Sequence, residues 1–317
     1  MMVIKKYDSR LHDEWNQLVE KSRNGTFLLL REYMDYHSDR FTDHSLMAYD
    51  EGRLIAVMPA NSEGPTLFSH KGLTYGGWVM PAKRADAPVM LDVMEQMVQY
   101  LRTHGFKRLI YKAIPHIYHQ YPAEEDIYAL WRQGAKLVEC DISTTIDLRC
   151  PLPLNRGSRS AVNAALRSGI TVARSEDLDG YWQLLSAVLK ERHNTVPVHT
   201  AAEMRLLQSR FPSNIKLYTA SLSGELLAGV LMYISGTVAH CQYIAASPRG
   251  REAKALTLLF DRLISLMAQE GLRYFDFGTS NEQHGLYLNR TLAQQKTRLG
   301  GRGVAAQIFE LDVADLP

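Results

Sequence analysis

An α/β fold built from two copies of one unit is what this sequence predicts, and two observations predict it. The first is an order of elements that occurs twice. Leu46 to Met58 spells an apolar strand pair closed by Asp50-Glu51-Gly52, then a strand from Leu73 to Met80, a helix ending at Gly105, and a strand from Leu109 to Ala113. Leu217 to Val230, closed at Gly224, leads likewise to a strand from Ala239 to Ala245, a helix ending at Gly271, and a strand from Tyr274 to Phe277. The second observation is the spacing. Aligning Gly52 on Gly224 sets the copies a domain's length apart, whereas solenoid repeats recur every ~20–50 residues. A chain of 317 residues accommodates two domains at roughly 100–200 residues each. The expected domains are 1–150 and 151–317, parted where Pro151 and Pro153 interrupt the pattern.

In the first copy, Trp15, Leu18 and Val19 recur at helical spacing between Leu11 and Ser22, and Phe27 to Tyr36 continues at a similar period after Asn24-Gly25. The hairpin about Gly52 follows from residues tolerant of positive φ set between apolar runs. Val89, Val93, Met94, Met97, Val98 and Leu101 form one stripe of a helix from Pro88 to Arg102, with Gly105 as its stop. A short helix from Glu124 to Gln133 and a strand from Val138 to Leu148 end this half. The second copy opens with a helix from Arg156 to Ser168, stopped by Gly169, and two more helices at Tyr181 to Glu191 and Thr200 to Arg210. Thr200 and Glu203 are spaced as a capping box. The hairpin at Gly224, the strand at Ala239, a helix from Glu252 to Gln269, the strand at Tyr274, a helix from Tyr287 to Arg298 and a strand from Val304 to Leu311 complete the chain.

Hydrophobic residues make up 46% and charged residues 22%, the balance of a globular, soluble protein. A formal charge of +2, from 36 basic and 34 acidic residues, argues against wholesale coating of nucleic acid and against a DNA partner. The amino terminus lacks the apolar core of a signal peptide, and no apolar run approaches the ~20 residues of a membrane span, so a cytoplasmic protein is expected. Cys140, Cys150 and Cys241 form no close pair, which excludes a disulfide framework or zinc knuckle; each is expected to be a small buried apolar residue.

Two helices, an antiparallel meander, a strand-helix-strand crossover and a closing strand, in that order, resemble the GNAT acyltransferase fold. Two such units in tandem, with a helix opening the second, resemble the Fem-type aminoacyl and peptidyl transferases and their GNAT-like bacterial relatives. The resemblance covers essentially the whole chain and is carried by Asn155 to Gly169, Glu191 to Thr200, Gln242 to Pro248 and Tyr274 to Ser280. It implies two units, each a mixed, mainly antiparallel sheet flanked by helices. The first is degenerate and on the acceptor side; the second carries the donor and the catalysis. It also implies acyl or aminoacyl transfer to an amine held between the units, from acyl-coenzyme A or an aminoacyl-tRNA acceptor end, with no tightly bound cofactor. The acceptor would be a small-molecule or nucleotide-linked amine. Lys296, near the last turn before the closing strand, matches a lysine of that family. Departures are as plain: Ser247-Pro-Arg249-Gly250-Arg251 has one of the glycines that usually let amides reach a pyrophosphate, and Met80 to Ala87 has none. A coenzyme A-dependent N-acetyltransferase with a decayed first copy, and a non-catalytic ligand-binding protein, are therefore alternatives.

Candidate residues follow from chemistry and position. Asp276 and Glu282 lie at the carboxyl end of a strand, where open α/β sheets bind ligands, and are the carboxylates expected to deprotonate an amine; Ser280 and Asn281 lie between them. His193 ends a helix lining the second cleft and is a candidate base. Alternation places His240 and Gln242 on one strand face and Cys241 and Tyr243 on the other, with Tyr243 a proton donor and Gln242 a substrate contact. Arg249, Gly250 and Arg251 are the expected anion site for the donor. Arg156 and Arg159, with Arg167, lie within about 80° on one helix face and suit phosphate. Tyr75 and Gly76, in a glycine-rich aromatic stretch, suit an acceptor or a bulge. Lys296 is expected to offer a point charge to a phosphate or oxyanion, with Leu288, Leu292 and Leu299 packing its helix. His193 and His199, six residues apart across Pro197, do not share a helical face, and no metal site is expected.

Overall fold

The computed structural model describes residues 1–314 and, at His193, the backbone alone. It contains two compact units: unit 1 is Met1–Ile142 with Asn281–Tyr287 and the segment from Ala305 onward, and unit 2 is Ser143–Ser280 with Leu288–Val304. Both are mixed α/β, as the sequence predicts.

In unit 1, β1 (Met2–Lys6) leads to α1 (His12–Glu20) and α2 (Arg31–Met34), then to the hairpin β2 (Leu46–Asp50) and β3 (Arg53–Met58). These three strands pair antiparallel as one sheet. The expected helix from Phe27 to Tyr36 is a single α turn between two 3-10 turns. A second sheet holds β4 (Asn61–Glu63), β5 (Thr66–Phe68) and β6 (Arg108–Lys112), with β5 and β6 parallel across the helix α3 (Ala87–Thr103). The predicted stripe of α3 is buried from Val93 to Leu101, with Met90 buried in the first turn where Val89 is only half-buried; Asp86 caps that turn by accepting from the Val89 amide at 3.1 Å, and Gly105 follows the helix end. The strand expected from Leu73 to Met80 is absent apart from one bridge, Val57 to Val79. Tyr111 of β6, distant in sequence, accepts the Trp78 amide on its hydroxyl at 2.7 Å, removing a donor that a ladder would need. After α4 (Glu125–Arg132), β7 (Lys136–Asp147) carries the chain from unit 1 into unit 2.

Unit 2 begins with α5 (Arg156–Arg167), the short strand β8 (Thr171–Ser175), α6 (Leu178–His193) and α7 (Ala201–Arg210). The capping box is formed: Thr200 Oγ1 accepts from the Glu203 amide at 3.1 Å, and the Glu203 carboxylate accepts from the Thr200 amide at 2.7 Å. Then come β9 (Ile215–Leu222), β10 (Glu225–Ile234), β11 (Val238–Ala246), α8 (Pro248–Glu252), α9 (Ala255–Gln269) and β12 (Tyr274–Thr279). A small hairpin, β13 (Asn281–Glu282) and β14 (Tyr287–Leu288), precedes α10 (Arg290–Arg298) and β15 (Arg302–Asp312). The helix expected from Glu252 to Gln269 is two helices, because Lys254 takes a left-handed conformation (φ 61°) between them. The sheet of unit 2 runs β7-β12-β11-β10-β9-β8, antiparallel except for β11 and β12, which α9 connects. One face of this sheet packs Cys241, Phe275 and Phe277 against Val162 and Ala165 of α5 and Leu258, Leu259, Leu263 and Met267 of α9. The other face meets α6. Cys241 is buried as expected; Cys140 and Cys150 are exposed, because both lie on stretches open to solvent.

Candidate active site

The parallel pairing of β11 with β12 covers only Val238 to His240 against Tyr274 to Asp276. Beyond that point β11 continues to Ala246 with β10 alone beside it, and β12 continues to Thr279 beside β7. The two central strands of unit 2 therefore part at His240 and Asp276. Each strand carries a bulge just past the fork. On β11, Leu231 pairs with Tyr243 and Met232 with Cys241, leaving Gln242 as the extra residue. On β12 the register against β7 slips between Asp276 and Thr279, where Gly278 has φ 76°. A bulge shifts the side-chain alternation by one, so the predicted faces of β11 need correcting. Cys241 lies on the α5/α9 core side, whereas His240 and Tyr243 share the α6 side, Tyr243 against Trp182 (ring centroids 5.2 Å). Alternation alone put Tyr243 with Cys241.

Asp276, 3% exposed, is where the sequence placed a base, but its surroundings assign it another part. One carboxylate oxygen accepts from the hydroxyls of Ser143 (2.5 Å) and Thr145 (2.9 Å) on β7 and from the Gly278 amide (3.2 Å). The other lies 2.7 Å from His240 Nδ1. Burial opposes ionisation, yet the hydrogen bond and charge of His240 and the two hydroxyls outweigh it and hold the carboxyl below the usual carboxylate range. A carboxylate that is ionised and already accepts four hydrogen bonds is a poor proton acceptor. It fixes His240 instead: facing an anion, Nδ1 must carry the proton, so Nε2 presents its lone pair in the neutral ring. Nε2 makes no hydrogen bond to a described residue. The sequence placed His240 on a strand face without giving it a role, and here it is the group beside Asp276 that keeps a basic nitrogen without a hydrogen bond to a described residue. The sequence placed the two residues on separate strands, and the parallel register that sets His240 beside Asp276 comes from the fold.

Lys296 on α10 is 6% exposed, and its Nζ donates to the carbonyls of Gly278 (2.8 Å) and Thr279 (2.6 Å), at the bulge that follows Asp276. An ammonium has three donors, so one remains beyond these two. Burial depresses its pKa to about 8, partly offset by the negative charge of Asp276. Leu299 packs α10 as expected, but Leu288 and Leu292 are exposed, and the residue α10 buries is Lys296 itself. The Tyr243 hydroxyl lies 2.6 Å from His199 Nδ1 and accepts from the His199 amide at 3.3 Å. Burial raises the Tyr243 pKa to about 12, so it stays protonated at neutral pH. Gln242 Oε1 and Ser280 Oγ are buried without a hydrogen-bond partner.

The remaining candidates lie elsewhere. Glu282 is exposed on the hairpin, and Asn281 is occupied by the Ile142 amide (2.7 Å) and the Gly285 carbonyl (3.0 Å); both belong to unit 1. The side chain of His193, the last residue of α6, lies outside the described residues. Tyr75 and Gly76 are engaged inside unit 1: the Tyr75 hydroxyl donates to Thr26 Oγ1 at 3.0 Å, and a β-carbon at Gly76 would sit 2.0 Å from the Ser69 carbonyl oxygen. Arg249 pairs with Glu225, Arg251 donates to the Ala246 carbonyl at 3.0 Å, and Ser247 Oγ caps the Gly250 amide at 2.9 Å. Arg156, Arg159 and Arg167 are exposed on α5 without an acidic partner among the described residues. No group of three metal-ligating side chains occurs among the described residues.

Residues 154–284 match the family model described as an acetyltransferase (GNAT) domain, which spans β11, β12 and both members of the His240–Asp276 pair. The chain has the GNAT fold. Among solved structures it is similar to FemX (TM-score 0.68, 12% identity, covering 98% of this chain and 97% of that one). It is also similar to the C-terminal domain of a protein named as a putative lysylphosphatidylglycerol synthetase from Agrobacterium fabrum (0.61, 14% identity, 94% and 93%). A tandem GNAT protein of the clavulanic acid biosynthesis pathway gives 0.53 at 12% identity, with 99% of each chain covered. No curated protein matches by sequence. At these identities the likeness is one of fold.

Proposed function

We propose that unit 2 transfers an acyl or aminoacyl group from an activated ester to an amine, with His240 as the general base. The observation that carries this is the pairing of His240 with the buried, ionised Asp276 at the point where β11 and β12 part. The amine nitrogen attacks the donor carbonyl carbon while His240 Nε2 takes its proton, and Asp276 stabilises the imidazolium that results. As the ester collapses, the Tyr243 hydroxyl, held by His199, is the proton donor for the leaving oxygen. Lys296 offers its remaining donor to the charge that grows on the carbonyl oxygen.

An aminoacyl-tRNA is the donor we assign, in preference to a coenzyme A thioester. The helix after β11 is five residues long and ends at a left-handed residue, and Arg249, Gly250 and Arg251 are each engaged within the protein. A pyrophosphate would have to displace those partners. The open guanidinium face of α5 is free to meet phosphates. The name of the Agrobacterium neighbour, which joins a lysyl group to a lipid, supports aminoacyl transfer as a chemistry of this fold.

The test is turnover of charged tRNA and, in parallel, of acyl-coenzyme A thioesters against a panel of primary amines. Wild type should consume charged tRNA in an amine-dependent way, and His240→Gln should slow it by about 10²–10⁴, the range for loss of a general base. Consumption of thioesters alone would move the assignment to an N-acetyltransferase. No turnover of either donor would leave a ligand-binding protein.

A further inference from the structure

Unit 1 carries a surface that its own packing does not explain. Three of the four tryptophans are buried: Trp15 and Trp78 at 0% exposure and Trp182 at 6%, whereas Trp131, in the last turn of α4, is 66% exposed. Tyr128, one turn earlier, is 47% exposed, with its ring centroid 6.1 Å from that of Trp131. The helix ends in a turn where the amides of Gly134 and Ala135 donate to the carbonyls of Trp131 and Leu130, each at 3.0 Å. The chain then enters β7, where Leu137 and Val138 are half exposed. Four large apolar or aromatic side chains thus lie open within eleven residues of sequence, while Ala129 and Leu130 secure α4 to the core from its other side.

Between them stand Arg132 and Lys136, both exposed and without an acidic partner among the described residues. Three of the acids in the same stretch are engaged otherwise, Glu125 by Arg23, Asp126 by Tyr111 and Glu139 by His284, and neither Glu124 nor Asp141 forms an ion pair with Arg132 or Lys136 among the described residues. Exposed Trp and Tyr beside aliphatic residues and unpaired cations are the composition that favours the boundary between water and lipid. There the amphipathic rings settle at headgroup depth, and the cations meet anionic phosphates. A second copy of the chain is a poorer occupant, because a two-fold contact through this face would bring Arg132 and Lys136 towards their own equivalents.

We propose that residues 128–138 dock unit 1 on an anionic lipid surface, with Trp131 and Tyr128 entering the headgroup layer and Arg132 and Lys136 meeting lipid phosphates. Attachment is peripheral, since no helix among the described residues is long and apolar enough to cross a membrane. The proposal goes beyond the transferase reading and does not depend on it.

The burial of the other tryptophans makes Trp131 a built-in reporter. Titrating the full chain with vesicles of equal phosphatidylglycerol and phosphatidylcholine should shift its tryptophan emission to the blue, and vesicles of phosphatidylcholine alone should not. In co-sedimentation, Arg132→Gln and Lys136→Gln should each weaken binding about fivefold at low salt, the equivalent of ~1 kcal/mol per cation. Trp131→Ala should weaken it at any salt while leaving the circular dichroism unchanged. The proposal is overturned if wild type does not sediment with anionic vesicles, or if all three variants bind as wild type does. A blue shift on concentrating the protein without lipid, matched by a dimer in light scattering, would overturn it in favour of self-association.

Discussion

Replacing Asp276 by Asn separates the orienting role of this group from its bulk. Its carboxylate accepts from Ser143, Thr145 and the Gly278 amide on one oxygen and from His240 on the other. In the Asp276→Asn variant the three donors hold the amide oxygen where that first oxygen was, which turns the amide nitrogen toward His240 Nδ1. Two donors cannot share that contact, so the imidazole must move its proton to Nε2, and the base loses its lone pair. In a serine-protease triad the same substitution lowers kcat by about 10⁴, and a loss of that order, ~5 kcal/mol of barrier, is expected here. The stability change is smaller. Three charge-assisted bonds become neutral ones at a loss of roughly 1 kcal/mol each, offset in part by relief of the buried charge, which leaves ~1–3 kcal/mol. The sign with pH follows from the lowered pKa of Asp276. Its stabilising contribution is present above the unfolded value of 3.8 and is lost as pH falls through the lower folded value, so the Asp276→Asn substitution should flatten the acid limb of stability. Long-range proton–nitrogen NMR of histidine-labelled protein reads the tautomer directly and needs no substrate. Wild type should carry the His240 proton on Nδ1 and Asp276→Asn on Nε2. An unchanged tautomer in the variant would refute the reasoning.

Three further outcomes are expected. Turnover that depends on the Lys296 ammonium should decline as pH rises through about 8. Because that pKa is depressed from 10.5, folding stability should increase with pH between those values, and Lys296→Met should abolish both trends in pH-rate and denaturant titrations. Gly76→Ala forces a β-carbon to within 2.0 Å of the Ser69 carbonyl oxygen, so urea unfolding should show a loss of ~2–4 kcal/mol, and a smaller loss than ~1 kcal/mol would mean that the loop yields. Tyr111→Phe removes the acceptor of the Trp78 amide and the donor to buried Asp126. It should cost about 2–4 kcal/mol at neutral pH and less in acid, where Asp126, raised to about 6 mainly by burial, takes up a proton.

The order of elements was legible because hydrophobic period and turn residues are local signals; α3, α5 and the hairpins at Gly52 and Gly224 fall where those signals put them. What was not legible depended on contacts between distant residues. The stretch from Leu73 to Met80 reads as a strand, but the hydroxyl of Tyr111 takes its amide. Lys254 gives no local sign that it will break a helix. At the candidate site, the end-of-strand rule singled out Asp276 and the resemblance singled out Lys296, and the fold brings both to the bulge on β12. The partner that makes Asp276 useful lies on another strand, and the bulge at Gln242 that turns Tyr243 to the same side is a mismatch of register between β10 and β11, invisible in either strand alone.

The pairing of β15 bears on how the protein is made. Residues Ile308 to Asp312 pair with Lys112 to Arg108, within unit 1. A ribosome releases most of that unit long before it synthesises the strand that closes its sheet. Until β15 emerges, β6 waits with one edge bare, the condition in which a nascent chain most readily pairs with a neighbour. Truncation near residue 150 would freeze that condition permanently, and a fusion that obstructs β15 should injure unit 1 although most of that unit is remote from it in sequence.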